Sequence, residues 1–176
     1  LHAYEDLADK FGLWDAAGVM KEYGCSDDGF IDFRAWLIAQ GKEVYLSALA
    51  DPDSLAEVIP YGDCCFETLS YVGDQAYEQL TGKSAYDQTD RARYETLLAE
   101  LEQDIVYKGG IEFPREGPEL KQYLPRLCAA HPGWDGKTRW NVQQKEMRDL
   151  IRAGKAYDQQ QMAPKKKQHR RGGEAR

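Results

Sequence analysis

No run of about 18 apolar residues occurs in the chain, so the sequence offers no helix that could span a membrane. A charged leader followed by an apolar segment is also lacking at the N-terminus, which argues against a secretory signal. The chain starts without an initiator methionine, as a processed or trimmed protein would. Histidine is sparse, with His2, His131 and His169 far apart. The four cysteines, Cys25, Cys64, Cys65 and Cys128, show no C-x-x-C spacing, and on a helix Cys64 and Cys65 would face different ways. These shortages leave no zinc site and no other metal or cofactor constellation. Reduced, mostly buried thiols are expected instead, and they suit a cytoplasmic protein. Internal repeats and strong strand-type alternation are missing too.

What is present is charge, unevenly placed. The chain carries a net −7, yet residues 1–131 hold 11 Lys and Arg against 25 Asp and Glu, whereas residues 132–176 hold 12 against 5. This describes an acidic body joined to a basic extension. The body repels nucleic acid by default, so only the extension could touch it.

Helical spacing dominates the body. Residues 3–23 place Tyr4, Leu7, Ala8, Phe11, Trp14, Ala17, Val19 and Met20 on one face, with a break near Gly12 and a left-handed cap at Gly24. Ser26 or Asp27 then caps a helix carrying Phe30, Phe33 and Leu37. Gly41 separates it from another over 42–50, and Asp51-Pro52 restarts helix in the manner of a cap followed by a first-turn proline. After a turn at 60–62, Asp63 is placed to cap a helix through Leu80 with Cys65, Leu69, Val72, Ala76 and Leu80 inward. Residues 90–106 predict a helix that buries Tyr94, Leu97, Leu98, Leu101 and Ile105, and 111–114 is the one extended candidate. Residues 118–130 predict a helix divided at Pro125. Residues 138–157 then predict an amphipathic helix with Trp140, Met147, Leu150 and Ile151, ahead of a disordered tail. The expected fold is all-α: a compact bundle of about six to eight helices over 1–131, a helical extension over 132–158 and a basic tail over 159–176.

Candidate chemistry gathers around Gly24–Ile38. Asp28-Gly29-Phe30-Ile31 imitates the second half of a calcium loop, but the first, third and twelfth places fall on Gly24, Ser26 and Ala35. The leading carboxylate and the bidentate glutamate are missing, so calcium is rejected. Cys25, Asp27, Asp28 and Arg34 are the candidate catalytic residues of a hydrolase built on the Cys25-Ser26-Asp27-Asp28 loop. A nucleophilic thiol needs a base or cation, however, and two carboxylates oppose a thiolate. Arg34 is expected on the polar side of its helix, paired with Asp27 or Asp32. Trp36 is the aromatic to watch for a pocket, because Phe33 and Leu37 already claim the inward face. In the tail, Lys165, Lys166, Lys167, Arg170 and Arg171 could make weak nonspecific nucleic-acid contact, without interleaved aromatics or a base-reading fold.

The run Gly24-Cys25-Ser26-Asp27-Asp28-Gly29-Phe30, followed by Asp32-Phe33-Arg34-Ala35-Trp36-Leu37-Ile38 and Gln40-Gly41-Lys42-Glu43-Val44-Tyr45, resembles the bacterial family called domain of unknown function 4240. Leu13-Trp14-Asp15-Ala16-Ala17 and Ala48–Ala56 continue the likeness, and Ala76-Tyr77-Glu78 and Leu124-Pro125-Arg126-Leu127 echo it, so that it covers about 4–130. The resemblance implies a small α-helical bacterial protein, with the family's first N-terminal helix lacking here and 132–176 lying outside the family domain. It brings no catalytic residue, cofactor or partner. The leading functional reading is a non-catalytic module that binds an unknown protein partner. Hydrolysis at the Cys25 loop and nucleic-acid contact by the tail are the alternatives.

Overall fold

The computed structural model describes residues 1–59, 63–88, 90–115, 117–134 and 136, all within one unit, Leu1–Val142. The turn expected at 60–62, the helix expected over 138–157 and the basic tail with Lys165, Lys166, Lys167, Arg170 and Arg171 lie outside the described residues. The α-helices are α1 (His2–Leu7), α2 (Phe11–Met20), α3 (Asp27–Ala39), α4 (Lys42–Ala50), α5 (Glu67–Ser70), α6 (Val72–Thr81), α7 (Arg91–Glu102), α8 (Gly117–Tyr123) and α9 (Pro125–Ala130). Two 3-10 helices, Pro52–Glu57 and Tyr86–Gln88, lie between them, and no strand forms among the described residues. The all-α expectation is met. More helices form than the six to eight expected, because single predicted helices divide into α1 and α2 and into α5 and α6.

A helix that is apolar on all sides belongs in the interior. α2 is such a helix, with Leu13, Ala16, Ala17, Val19 and Met20 buried along with Gly12 and Asp15. The break predicted near Gly12 falls earlier, at Ala8–Lys10. Gly12 instead sits in the first turn of α2, where its free N–H donates to the Ile111 carbonyl at 2.7 Å. A Cβ at this position would lie 2.7 Å from Ile111 Cγ1 and 2.8 Å from the Tyr123 hydroxyl, so the close approach requires glycine.

α3 begins where the sequence places it. Ser26 Oγ accepts from the Gly29 N–H at 3.1 Å, and Asp27 and Asp28 occupy the positive first turn. Its buried face completes a ladder of rings with α2. Phe11 stacks on Trp14 (6.0 Å between centroids), Trp14 on Phe30 (5.0 Å), Phe30 on Phe33 (6.2 Å) and Phe33 on Trp36 (5.4 Å). Trp36 is fully buried in this core. Trp134 is also buried against it.

The expected cap at Asp51 is present, accepting from the Asp53 N–H at 3.2 Å with Pro52 in the first turn. Asp53 has a larger task. Buried in the core, it accepts from the backbone N–H groups of Arg126 (3.2 Å) and Leu127 (2.8 Å) and from Arg126 Nε (3.0 Å). A carboxylate distant in sequence thus caps α9, which has no cap of its own beyond Pro125. Asp53→Ala is expected to cost about 2–3 kcal/mol, because buried donors lose their acceptor. Urea unfolding measures this, and a loss within experimental error would show that α9 does not depend on the cap.

The helix expected over 63–80 is the main correction. Residues 63–66 form a turn, helix starts only at Glu67, and Tyr71 separates α5 from α6. α6 buries nothing. Its half-buried side is Asp74 and Tyr77, while Val72, Ala76 and Leu80 face outward, with Val72 52% and Leu80 86% exposed. Polar anchoring explains the inversion. His2 Nε2 lies 3.7 Å from Asp74, and Ser70 Oγ donates to the buried Glu5 carboxylate at 2.7 Å, fixing the α5–α6 segment by its polar side. α7 also ends earlier than expected, at Glu102, and Leu97 is exposed, while Tyr94, Leu98, Leu101 and Ile105 are half-buried. The extended candidate at 111–114 is a turn that inserts Ile111 into the core. The predicted division at Pro125 separates α8 from α9.

Candidate functional site

The cap at Ser26 sets the first turns of α3, and α3 packs against α5. The junction is fixed by backbone: the Phe66 N–H donates to the Asp32 carbonyl at 3.1 Å. Between the two helices lies a cleft of about 340 Å³ lined by Asp28, Ile31, Asp32, Glu67, Ser70 and Tyr71. Asp28 and Asp32 share one helix face at i and i+4, and α5 brings Glu67 against them.

Three carboxylates thus converge without forming an ion pair to a cation among the described residues. Burial pushes the Asp32 carboxyl above its ordinary value, and Glu67, Asp28 and Asp63 push the same way against the opposing Lys21. Ile31 and Tyr71 are exposed at the cleft, and Val72 follows directly on Tyr71. The site is an acidic notch with apolar flanks, open to a cationic group attached to an apolar one. Among the described residues no group of three His, Cys, Asp or Glu could hold a metal ion. Nor is any described helix long and apolar enough to cross a membrane.

The four residues singled out for chemistry are distributed differently. Cys25 is buried, its thiol donating to the Ser26 carbonyl at 3.5 Å and its own carbonyl accepting from Trp14 Nε1 at 2.9 Å. Asp27 is exposed in the first turn of α3, and of the four only Asp28 lines the cleft. Arg34 corrects an expectation. Instead of pairing with Asp27 or Asp32, its nearly buried guanidinium turns to α1, donating to the Glu5 carbonyl at 3.1 Å and lying 3.5 Å from Asp9. It also covers the Phe30 ring at 5.1 Å, packing as much as pairing. Sequence reasoning passed over Asp32 and Glu67 as site residues. The i, i+4 carboxylates of α3 were visible as a like-charged pair that helices ordinarily avoid, but Glu67 is brought in by tertiary packing alone.

No curated protein and no solved structure matches the chain. One family model does, and its match ends at residue 79, short of the likeness traced to 124–127. Residues 1–79, which carry the capped turn, α3 and every residue lining the cleft, match the model of the family described as protein of unknown function (DUF4240).

Proposed function

We propose that the chain is a non-catalytic helical interaction module whose α3–α5 cleft receives a basic, partly apolar segment of a partner protein. The observation that carries this reading is the cluster of Asp28, Asp32 and Glu67, which has no ion pair among the described residues, beside the exposed Ile31 and Tyr71. Carboxylates crowded this closely repel one another, and an incoming lysine or arginine relieves the repulsion while its neighbours cover the apolar flanks. The outward stripe of α6 extends the apolar surface from Val72. The scattering of Cys25, Asp27, Asp28 and Arg34 gives hydrolysis less support than binding. Cysteines held as thiols support a cytoplasmic setting, and the family likeness supports a bacterial one.

A fluorescent peptide alternating lysine pairs with leucine is expected to bind the full chain with an affinity that falls as salt rises. A glutamate-for-lysine version of the peptide should not bind. The double variant Asp32→Asn, Glu67→Gln should weaken the lysine peptide about tenfold, or roughly 1.4 kcal/mol. Equal binding by the double variant, or no binding of the lysine peptide, would remove the cleft from consideration.

A further inference from the structure

Lys21, just past the end of α2, points its ammonium into the turn that precedes α5. Its Nζ lies 2.8 Å from Cys65 Sγ and donates to the Gly29 carbonyl at 3.3 Å. The turn is firmly set: Cys64 is buried with a left-handed backbone (φ 59°), and the next residue but one, Phe66, is held by the Asp32 carbonyl. Cys65 itself is half-buried, so small solutes can reach a sulfur that already faces the Lys21 nitrogen. Burial works against the Lys21 ammonium, but the contact with Cys65 and the nearby Cys25 and Asp63 outweigh it and hold the pKa above the ordinary lysine value.

We propose that peroxide joins Lys21 to Cys65 covalently, through a sulfur–nitrogen bond that ties the end of α2 to the turn before α5. The Cys65 thiolate attacks one oxygen of hydrogen peroxide and the oxygen–oxygen bond breaks. Sulfur is oxidised to the sulfenic acid, peroxide is reduced, and the departing hydroxide takes a proton from the Lys21 ammonium to leave as water. That transfer turns Lys21 into a free amine beside the newly formed sulfenic acid. The amine then attacks the sulfur and displaces hydroxide, which leaves as water with a proton from the nitrogen, giving a sulfenamide. One peroxide is consumed, and the protein loses two hydrogens overall. Sulfenic acids condense in this way with nitrogen as well as with thiols. The flexible lysine stem supplies the remaining approach. A dithiol reverses the bond by attack on sulfur.

The test is mass spectrometry of the full chain treated with hydrogen peroxide and digested with trypsin. The expected product is a linked pair of peptides containing Lys21 and Cys65, lighter by two hydrogens than their sum, uncleaved at Lys21 and released by dithiothreitol. Cys25→Ser should still form the link. Lys21→Arg should abolish it while leaving Cys65 trappable by dimedone as sulfenic acid. Cys65 recovered in a disulfide with another cysteine, or oxidised to sulfinic acid without a link to Lys21, would overturn the proposal. Both readouts come from the unsubstituted chain, so the outcome does not depend on a variant folding.

Discussion

Asp15→Asn is expected to abolish a loss of stability of about 4 kcal/mol that the unsubstituted chain undergoes between pH 4 and 7. Asp15 is buried in α2, and burial raises its carboxyl pKa from 3.8 to about 7 against the opposing Arg115 N–H and guanidinium. The Arg115 N–H donates to Asp15 Oδ2 at 3.0 Å, one good bond for a group that needs several when ionised. Between the unfolded and folded values the folded chain holds a proton that the unfolded chain has released. Stability from this group is therefore complete below about pH 4 and declines as pH rises towards 7. Asparagine keeps an acceptor for Arg115 and cannot ionise. Urea unfolding of both proteins at pH 4, 6 and 8 isolates the effect as a difference, with the variant about equal at pH 4 and the more stable at pH 8. Parallel curves would place the titration elsewhere.

Trp36→Ala is expected to cost about 3–5 kcal/mol, the range for removing a large buried aromatic. Trp36 stacks on Phe33 in the ladder that includes Trp14 and Phe30, so its loss leaves a void and unseats Phe33. Trp36→Phe keeps a ring and should cost clearly less. Urea unfolding gives the energies, and near-ultraviolet circular dichroism reports the ladder's order. A loss below about 1 kcal/mol for alanine would mean that the indole faces solvent or a ligand rather than the core.

The sequence was most readable where local physics decides the outcome. Ser26 before Asp27 and Asp28, Asp51 before Pro52, and Pro125 inside a helical pattern each act within a few residues of themselves, and each stands where the pattern put it. It was least readable where one element decides the face of another. Val72, Ala76 and Leu80 have the spacing of a buried stripe, yet His2 and Glu5 hold the α5–α6 segment by its opposite side. Periodicity reports which residues share a face, not which way that face turns. Arg34 failed for the same reason, since its acceptor on Glu5 lies 29 residues away, on another helix. Of the candidate site, Asp28 was legible and Asp32 half so. Glu67 needed the Phe66–Asp32 bond, which no local signal announces.

Gly12 meeting Ile111, Asp15 meeting Arg115 and Asp53 meeting Leu127 join positions 74 to 100 residues apart, the first through a backbone bond and the other two through side-chain bonds. On the ribosome, then, the family segment emerges with its central helix still missing a wall. The acceptor for the Gly12 N–H and the helix start capped by Asp53 arrive only after most of the body has been made. Closing such large loops comes late and slowly. A nascent chain paused before α8 is expected to leave the apolar α2 only partly covered. Stalled-chain proteolysis would detect the change as a sharp gain in protection once α9 clears the exit tunnel.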